Sequence, residues 1–171
     1  NKNKFPNLKI DALSVHIGSQ ILSDKPYKKT LKILHKLIRD LNIRLKYVDL
    51  GGGFGISYNK NEKQINLKKY AKLVLNFKRS LNCNIIFEPG RSLVGNTGIL
   101  VSKIQYIKNG HNKKFIILDA GMNDFMRPAL YNARHDIVPL NKIKKKIKKK
   151  IEFVGPVCES TCKFTEYKSY Q

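Results

Sequence analysis

Two helical repeats, each bracketed by short apolar runs, constrain this chain more than any other feature. Tyr27, Leu31, Leu34, Ile38 and Leu41 recur at spacings of four and three, and Leu67, Tyr70, Val74, Phe77 and Leu81 follow the same rule. Each set lies on one face of an amphipathic helix. Asp24 reads as the N-cap of the first helix, with Pro26 in its first turn, where a missing N–H costs nothing. Lys9 to Ile17, Leu45 to Leu50 and Asn84 to Phe87 read as strands before, between and after the helices. Strand–helix–strand–helix–strand with short links implies parallel strands joined by right-handed crossovers. Three such strands cannot close a barrel, so the pattern predicts one part of a β/α barrel.

The pattern changes beyond about residue 98. Leu100 to Ile107 and Lys114 to Leu118 read as strands with Gly110 in the turn between them, and Ile151 to Val157 as another. No long helical pattern separates them. The expected fold is therefore α/β: the C-terminal part of a (β/α)8 TIM barrel over residues 1–98, then the start of a β-rich domain over residues 99–171. Lys142 to Lys150 carries seven lysines around Ile143 and Ile147 and reads as a solvated, self-repelling loop.

The formal charge of +22 raises nucleic acid as a partner, because basic proteins attract phosphate backbones. The excess, however, is lysine spread along the whole chain, and the arginines are only Arg39, Arg44, Arg79, Arg91, Arg127 and Arg134. No interleaving of aromatic and basic residues accompanies it, so the expectation is no nucleic-acid partner. No apolar run reaches the roughly 18 residues of a membrane helix. The stretch from Asn1 to Pro6 lacks the apolar segment of a signal peptide and a starting Met. Cys83, Cys158 and Cys162 are odd in number, which fits a reducing cytoplasm better than a disulfide framework. Cys158 and Cys162, without a second ligand pair nearby, fall short of a zinc site.

The chemistry gathers where the first three strands end. His16-Ile17-Gly18-Ser19-Gln20, Gly51-Gly52-Gly53-Phe54-Gly55 and Glu88-Pro89-Gly90-Arg91 each follow a strand-like run. In a β/α barrel the loops leaving the strands open on one face, where active sites lie. The glycine run fails the dinucleotide fingerprint, because Ile56 and Tyr58 stand where it needs glycine. Bare amides in a tight turn still make an anion nest. One imidazole, one glycine turn and one Glu/Arg pair would thus meet a single ligand. The glycines and Arg91 suit a phosphate, and Glu88 suits a protonated ring nitrogen.

These motifs, with Asp119 to Asp124, Arg127 to Tyr131 and Gly155 to Ser160, occur in the order and at about the spacing found in the diaminopimelate decarboxylase family. That family falls in the alanine racemase-like group of pyridoxal 5′-phosphate (PLP) enzymes, which includes ornithine and arginine decarboxylases. The resemblance covers essentially the whole chain and implies PLP-dependent decarboxylation of meso-2,6-diaminopimelate to L-lysine, the last step of lysine biosynthesis. It further implies that His16 stacks on the cofactor ring. Ser19, the Gly52, Gly53, Phe54 and Gly55 amides and the Gly90 amide would hold the phosphate. Glu88 would face the ring nitrogen. Arg91, Arg127 and Tyr131 would bind the distal end of the substrate, and Glu159 its ammonium. Cys158 would be the proton donor, on a loop that reaches the neighbouring subunit's site in a homodimer. The alternative is a related enzyme acting on arginine, ornithine or a carboxylated polyamine, against which the Cys158-Glu159-Ser160 triplet argues. Two departures accompany the resemblance. Thr161 and Cys162 follow the triplet where the family usually has Asp at the second position. The family's cofactor-anchoring lysine motif and its C-terminal tyrosine motif have no counterpart here, so the chain is expected to be the middle of a longer enzyme and inactive by itself.

Overall fold

Val48 is completely shielded from solvent at the centre of a three-stranded parallel sheet, with Leu13 and Ile85 in register on either side. The strands are β1 (Ala12–Ser14), β2 (Tyr47–Asp49) and β3 (Asn84–Ile86), in the order β1-β2-β3. Alternation along each strand sends this row to one face, where helices cover it. The rows on either side, Ala12 and Asn84 and then Ser14 and Ile86, are exposed. The computed structural model describes residues 6–58, 62–141 and 147–170. It divides into two compact units, Asn1–Gly98 and Ile99–Gln171.

In the first unit, α1 (Asp24–Asp40) and α2 (Leu67–Leu81) carry the apolar faces that the spacing predicts. Tyr27, Leu31, Leu34 and Ile38 of α1 and Tyr70, Val74 and Phe77 of α2 pack with Leu45, Val48 and Leu50 into one core. Leu41 and Leu67 are exposed at the helix ends, outside that core. The N-cap expected at Asp24 is Ser23 instead, whose side chain accepts from the Lys25 N–H at 3.2 Å. Asp24 lies one residue inside and pairs with Lys69 of α2 at 3.0 Å. That bond, with the other favourable contacts, outweighs desolvation and holds the Asp24 carboxyl below its ordinary range. A single turn, α3 (Arg91–Val94), follows β3. All three strands are shorter than the apolar runs that announce them, because parallel pairing lasts only where both neighbours are extended.

The second unit is a four-stranded mixed sheet of order β4-β5-β6-β7. β4 (Ile104–Asn109) and β5 (Lys113–Leu118) form an antiparallel hairpin around Gly110. The strand expected from Leu100 therefore begins at Ile104. β6 (Lys150–Val154) runs parallel to β5, and β7 (Lys163–Tyr167) antiparallel to β6. β6 stops at Val154 rather than at Val157, because Gly155 and Pro156 interrupt the ladder. Ile116, Leu118, Ile151, Phe153 and Tyr170 make the buried face, with Tyr167 and Tyr170 set edge-on or tilted against Phe153 and each other. The short α4 (Arg127–Tyr131) lies in the long connection from β5 to β6. Of the lysine-rich run, residues 142–146 lie outside the described residues. The fold class is thus α/β, with one parallel and one mixed sheet. Among the described residues no helix is long and apolar enough to cross a membrane.

Candidate active site

The three strand-end loops of the first unit are joined by hydrogen bonds. The Glu88 N–H donates to the Gly51 carbonyl at 2.8 Å, carrying the β2–β3 pairing into the loops. The Gly52 N–H donates to Nδ1 of His16 at 3.3 Å, so this ring nitrogen is the acceptor and pins the imidazole to the glycine turn. Gly51 and Gly53 hold left-handed backbone, at φ 63° and 86°. Asp49 fixes the start of the turn by accepting from the Gly51 N–H at 2.8 Å. A Cβ on Gly52 would overlap the Glu88 carbonyl oxygen, and one on Gly53 the Gly18 carbonyl oxygen. These glycines are needed because neighbouring loops pass where side chains would stand.

The amides of the turn are unequally committed. Gly55 donates to the Ile21 carbonyl at 3.0 Å and Gly52 to His16, whereas no protein acceptor faces the Gly53 and Phe54 N–H groups among the described residues. Phe54 stacks on Tyr27 at 5.2 Å and meets the edge of Tyr70 at 5.1 Å. The Tyr27 hydroxyl donates to the Gly52 carbonyl at 2.9 Å, and burial pushes its pKa up to about 12. His16, Ser19, Glu88 and Gly90 are exposed. Among the described residues no cation lies within ion-pair distance of the Glu88 carboxylate.

Arg91, half-buried at the start of α3, donates to Oε1 of Gln20 at 2.9 Å. Gln20 is a residue of the first motif to which the motif reading assigns no role. Its side chain also donates to the Ile56 carbonyl at 2.6 Å and accepts from the Ile56 N–H at 3.3 Å. Its position at the end of the first motif is the only sequence signal for this role.

The second unit holds the remaining candidates. Arg127 donates from Nε to Nε2 of His135 at 3.4 Å and lies over the exposed Tyr131 ring at 5.8 Å. Asp119, just after β5, accepts from the Ser102 hydroxyl at 2.6 Å and the Lys103 N–H at 2.8 Å, which together hold its carboxyl below the usual range. Cys158 and Glu159 are both exposed. Glu159 accepts from the Ser160 hydroxyl at 3.0 Å and the Thr161 N–H at 3.3 Å. These bonds keep its carboxyl ionised below its ordinary range and brace the loop. Cys162 is buried, and its Sγ accepts from the Met122 N–H at 3.3 Å, tying this loop to the segment before α4. Among the described residues no group of three metal-ligating side chains gathers.

Comparison with known proteins places these loops in a family context. The family model described as the pyridoxal-dependent decarboxylase, C-terminal sheet domain, matches residues 12–169. The diaminopimelate decarboxylase of Aquifex aeolicus is 41% identical over 161 residues, covering 92% of this chain and 38% of that protein. The diaminopimelate decarboxylase of Helicobacter pylori is 46% identical over 153 residues, 87% of this chain and 37% of that protein. The chain therefore spans well under half the length of either relative. Among solved structures, the diaminopimelate decarboxylase of Helicobacter pylori complexed with L-lysine superposes with a TM-score of 0.82 at 40% identity, over 94% of this chain and 40% of that one. The lysine/ornithine decarboxylase from Vibrio vulnificus has a TM-score of 0.80 over 97% of this chain and 47% of that one at 19% identity, a likeness of fold.

Proposed function

The chain belongs to the family of pyridoxal-dependent decarboxylases, and on that premise we propose that the complete protein converts meso-2,6-diaminopimelate to L-lysine and CO2 with PLP as cofactor, the last step of lysine biosynthesis. The observation that carries this reading is the joining of the His16, Gly52 and Glu88 loops at the ends of three parallel strands. In the complete protein these strands and helices form a section of a (β/α)8 barrel, and Ile99–Gln171 part of its β-rich domain.

The residues present fit the cofactor. Gly53 and Phe54 offer N–H groups that meet no protein acceptor among the described residues, in a turn whose glycines leave no room for a methyl group. Such amides suit a phosphate. Ser19 and the Gly90 N–H add donors. Gly55, its N–H already bonded, serves through the space its missing side chain leaves. When bound, PLP supplies an electron sink for the pair left behind as CO2 departs. Glu88, with no cation in ion-pair distance among the described residues, would face the ring nitrogen and keep it protonated. His16 would stack on the ring, its orientation set by the bond from Gly52. Arg91, Arg127 and Tyr131 would bind the distal end of the substrate, where the planar guanidinium fork of an arginine suits a carboxylate. Glu159 would bind the distal ammonium, and Cys158, with its exposed thiol, would be the proton donor. The complete protein acts as a homodimer with sites shared across the interface, in the cytoplasm, where free Cys83, Cys158 and Cys162 persist.

Substrate profiling tests the reading. The complete protein is expected to release CO2 from meso-2,6-diaminopimelate and to leave arginine, ornithine and a carboxylated polyamine largely untouched. Preferential turnover of any of those three would overturn the substrate assignment.

A further inference from the structure

We propose that Gln20 is a positioning residue that aims Arg91 at an oxyanion of the ligand while leaving the guanidinium charge uncompensated, an inference that rests on the site assignment above. Gln20 holds a left-handed backbone, φ 59°, which a residue with a Cβ adopts only at a cost. What holds it there is its own amide. Nε2 donates to the Ile56 carbonyl at 2.6 Å, while Oε1 accepts from the Ile56 N–H at 3.3 Å and from Nη1 of Arg91 at 2.9 Å. One side chain thus bridges the loops that follow β1, β2 and β3.

The chemistry of this bridge is specific to an amide. A carboxylate could accept from Ile56 and Arg91 but could not donate to the Ile56 carbonyl. It would also cancel the positive charge. Among the described residues Arg91 has no carboxylate within ion-pair distance, although Glu88 lies three positions before it. A guanidinium has five N–H donors, and a bond to a neutral acceptor fixes its plane without competing for its charge. Through Gln20 the cation is tied to Ile56, which directly follows the glycine turn in the chain, and among the described residues the Gly53 and Phe54 N–H groups of that turn meet no protein acceptor. An oxyanion, either a phosphate or a carboxylate, is the ligand chemistry that matches.

The test compares the complete wild-type protein with Gln20→Glu and Gln20→Gly. Binding is measured for pyridoxine 5′-phosphate and uncharged pyridoxine, and KM and kcat for the substrate. Gln20→Glu keeps a bond to Arg91 but neutralises it. It is expected to weaken one oxyanion by about tenfold or more, the scale of a bond to a charged group. Loss confined to pyridoxine 5′-phosphate identifies a phosphate. A raised KM with kcat retained and unaltered pyridoxine 5′-phosphate affinity identifies a substrate carboxylate. Gln20→Gly accepts the left-handed backbone but releases Arg91, and should weaken the same ligand while the protein stays folded. If Gln20→Glu folds poorly, Gln20→Gly carries the same comparison. Wild-type affinity for both oxyanions in a folded variant overturns the proposal. Equal weakening of pyridoxine and pyridoxine 5′-phosphate makes Gln20 merely structural and overturns it too. The pyridoxine comparison needs no turnover, so it remains readable if the substrate assignment fails.

Discussion

A methyl group on Gly52 would run into the Glu88 carbonyl oxygen, part of the backbone of the next loop, so no rotation of a side chain relieves it. The glycine is required here by close approach, because Gly52, unlike Gly51 and Gly53, has no positive φ. Gly52→Ala is expected to cost about 1–3 kcal/mol, the usual range for overpacking a filled site, and to release the cofactor. A thermal melt with cofactor absorbance after gel filtration checks this; a variant with wild-type melting and full cofactor content would contradict it. The sequence displays this glycine run plainly, and with it the expectation of an anion nest. It does not reveal that the Gly55 N–H is already bonded to Ile21, or that Gln20 holds Arg91 across the strand-end loops. Those facts depend on which loops become neighbours.

At the scale of elements, β6 carries an unusual feature in the middle of its sheet. Glu152 and Glu166 stand directly opposite each other on β6 and β7, where like charges repel. Lysines offset this. Lys113 and Lys163 both bond Glu152, and Lys150 and Lys163 bond Glu166. Burial raises the Glu152 pKa, since its side chain is only 8% exposed, but the two lysines outweigh burial and bring it below its ordinary value. A depressed folded pKa means that this contribution is complete above the unfolded carboxylate range and is lost as pH falls through the folded value. For Lys163 the bond from Glu152 raises the pKa, so its share is present below the ordinary lysine range and is lost as pH rises through the raised value. Glu152→Gln should therefore destabilise the β5–β6–β7 region by about 2 kcal/mol at neutral pH. The effect should shrink in acid, where the wild-type carboxylate also loses its charge. Hydrogen exchange of the β6 amides measures it, and a difference that persists undiminished into acid would rule out the ionic explanation.

At the scale of the whole molecule, the proposed shared site makes a prediction that neither unit makes alone. Two inactive versions of the complete protein, Cys158→Ala and one lacking the cofactor-anchoring lysine, should regain activity when their subunits exchange. Random pairing gives about half mixed dimers, each with one intact site of two, hence about a quarter of wild-type activity. Exchange demonstrated by mass spectrometry without any return of turnover would show that Cys158 acts within its own subunit. The high positive charge enters none of this. Three of the lysines, Lys113, Lys150 and Lys163, instead serve the sheet as partners of Glu152 and Glu166.

The sequence by itself determined the two helices, the alternation of strand and helix, and the three chemical motifs at strand ends. Periodicity, proline and glycine are local signals, and α1 and α2 follow them to within a residue or two at each end. Local signals also misled at the ends of elements. Ser23 caps α1 in place of Asp24, and β1 keeps only Ala12–Ser14 of a longer apolar run. β7 goes unannounced because its lysine and glutamate side chains hide the alternation that packs Thr165 and Tyr167 toward the core side. Only the tertiary structure decided which amides of the glycine turn remain open, which side chain holds Arg91, and which lysines meet Glu152. Each depends on which loops and strands become neighbours, as Gln20 and Arg91 or Lys113 and Glu152 do, and no local signal in the chain reports that.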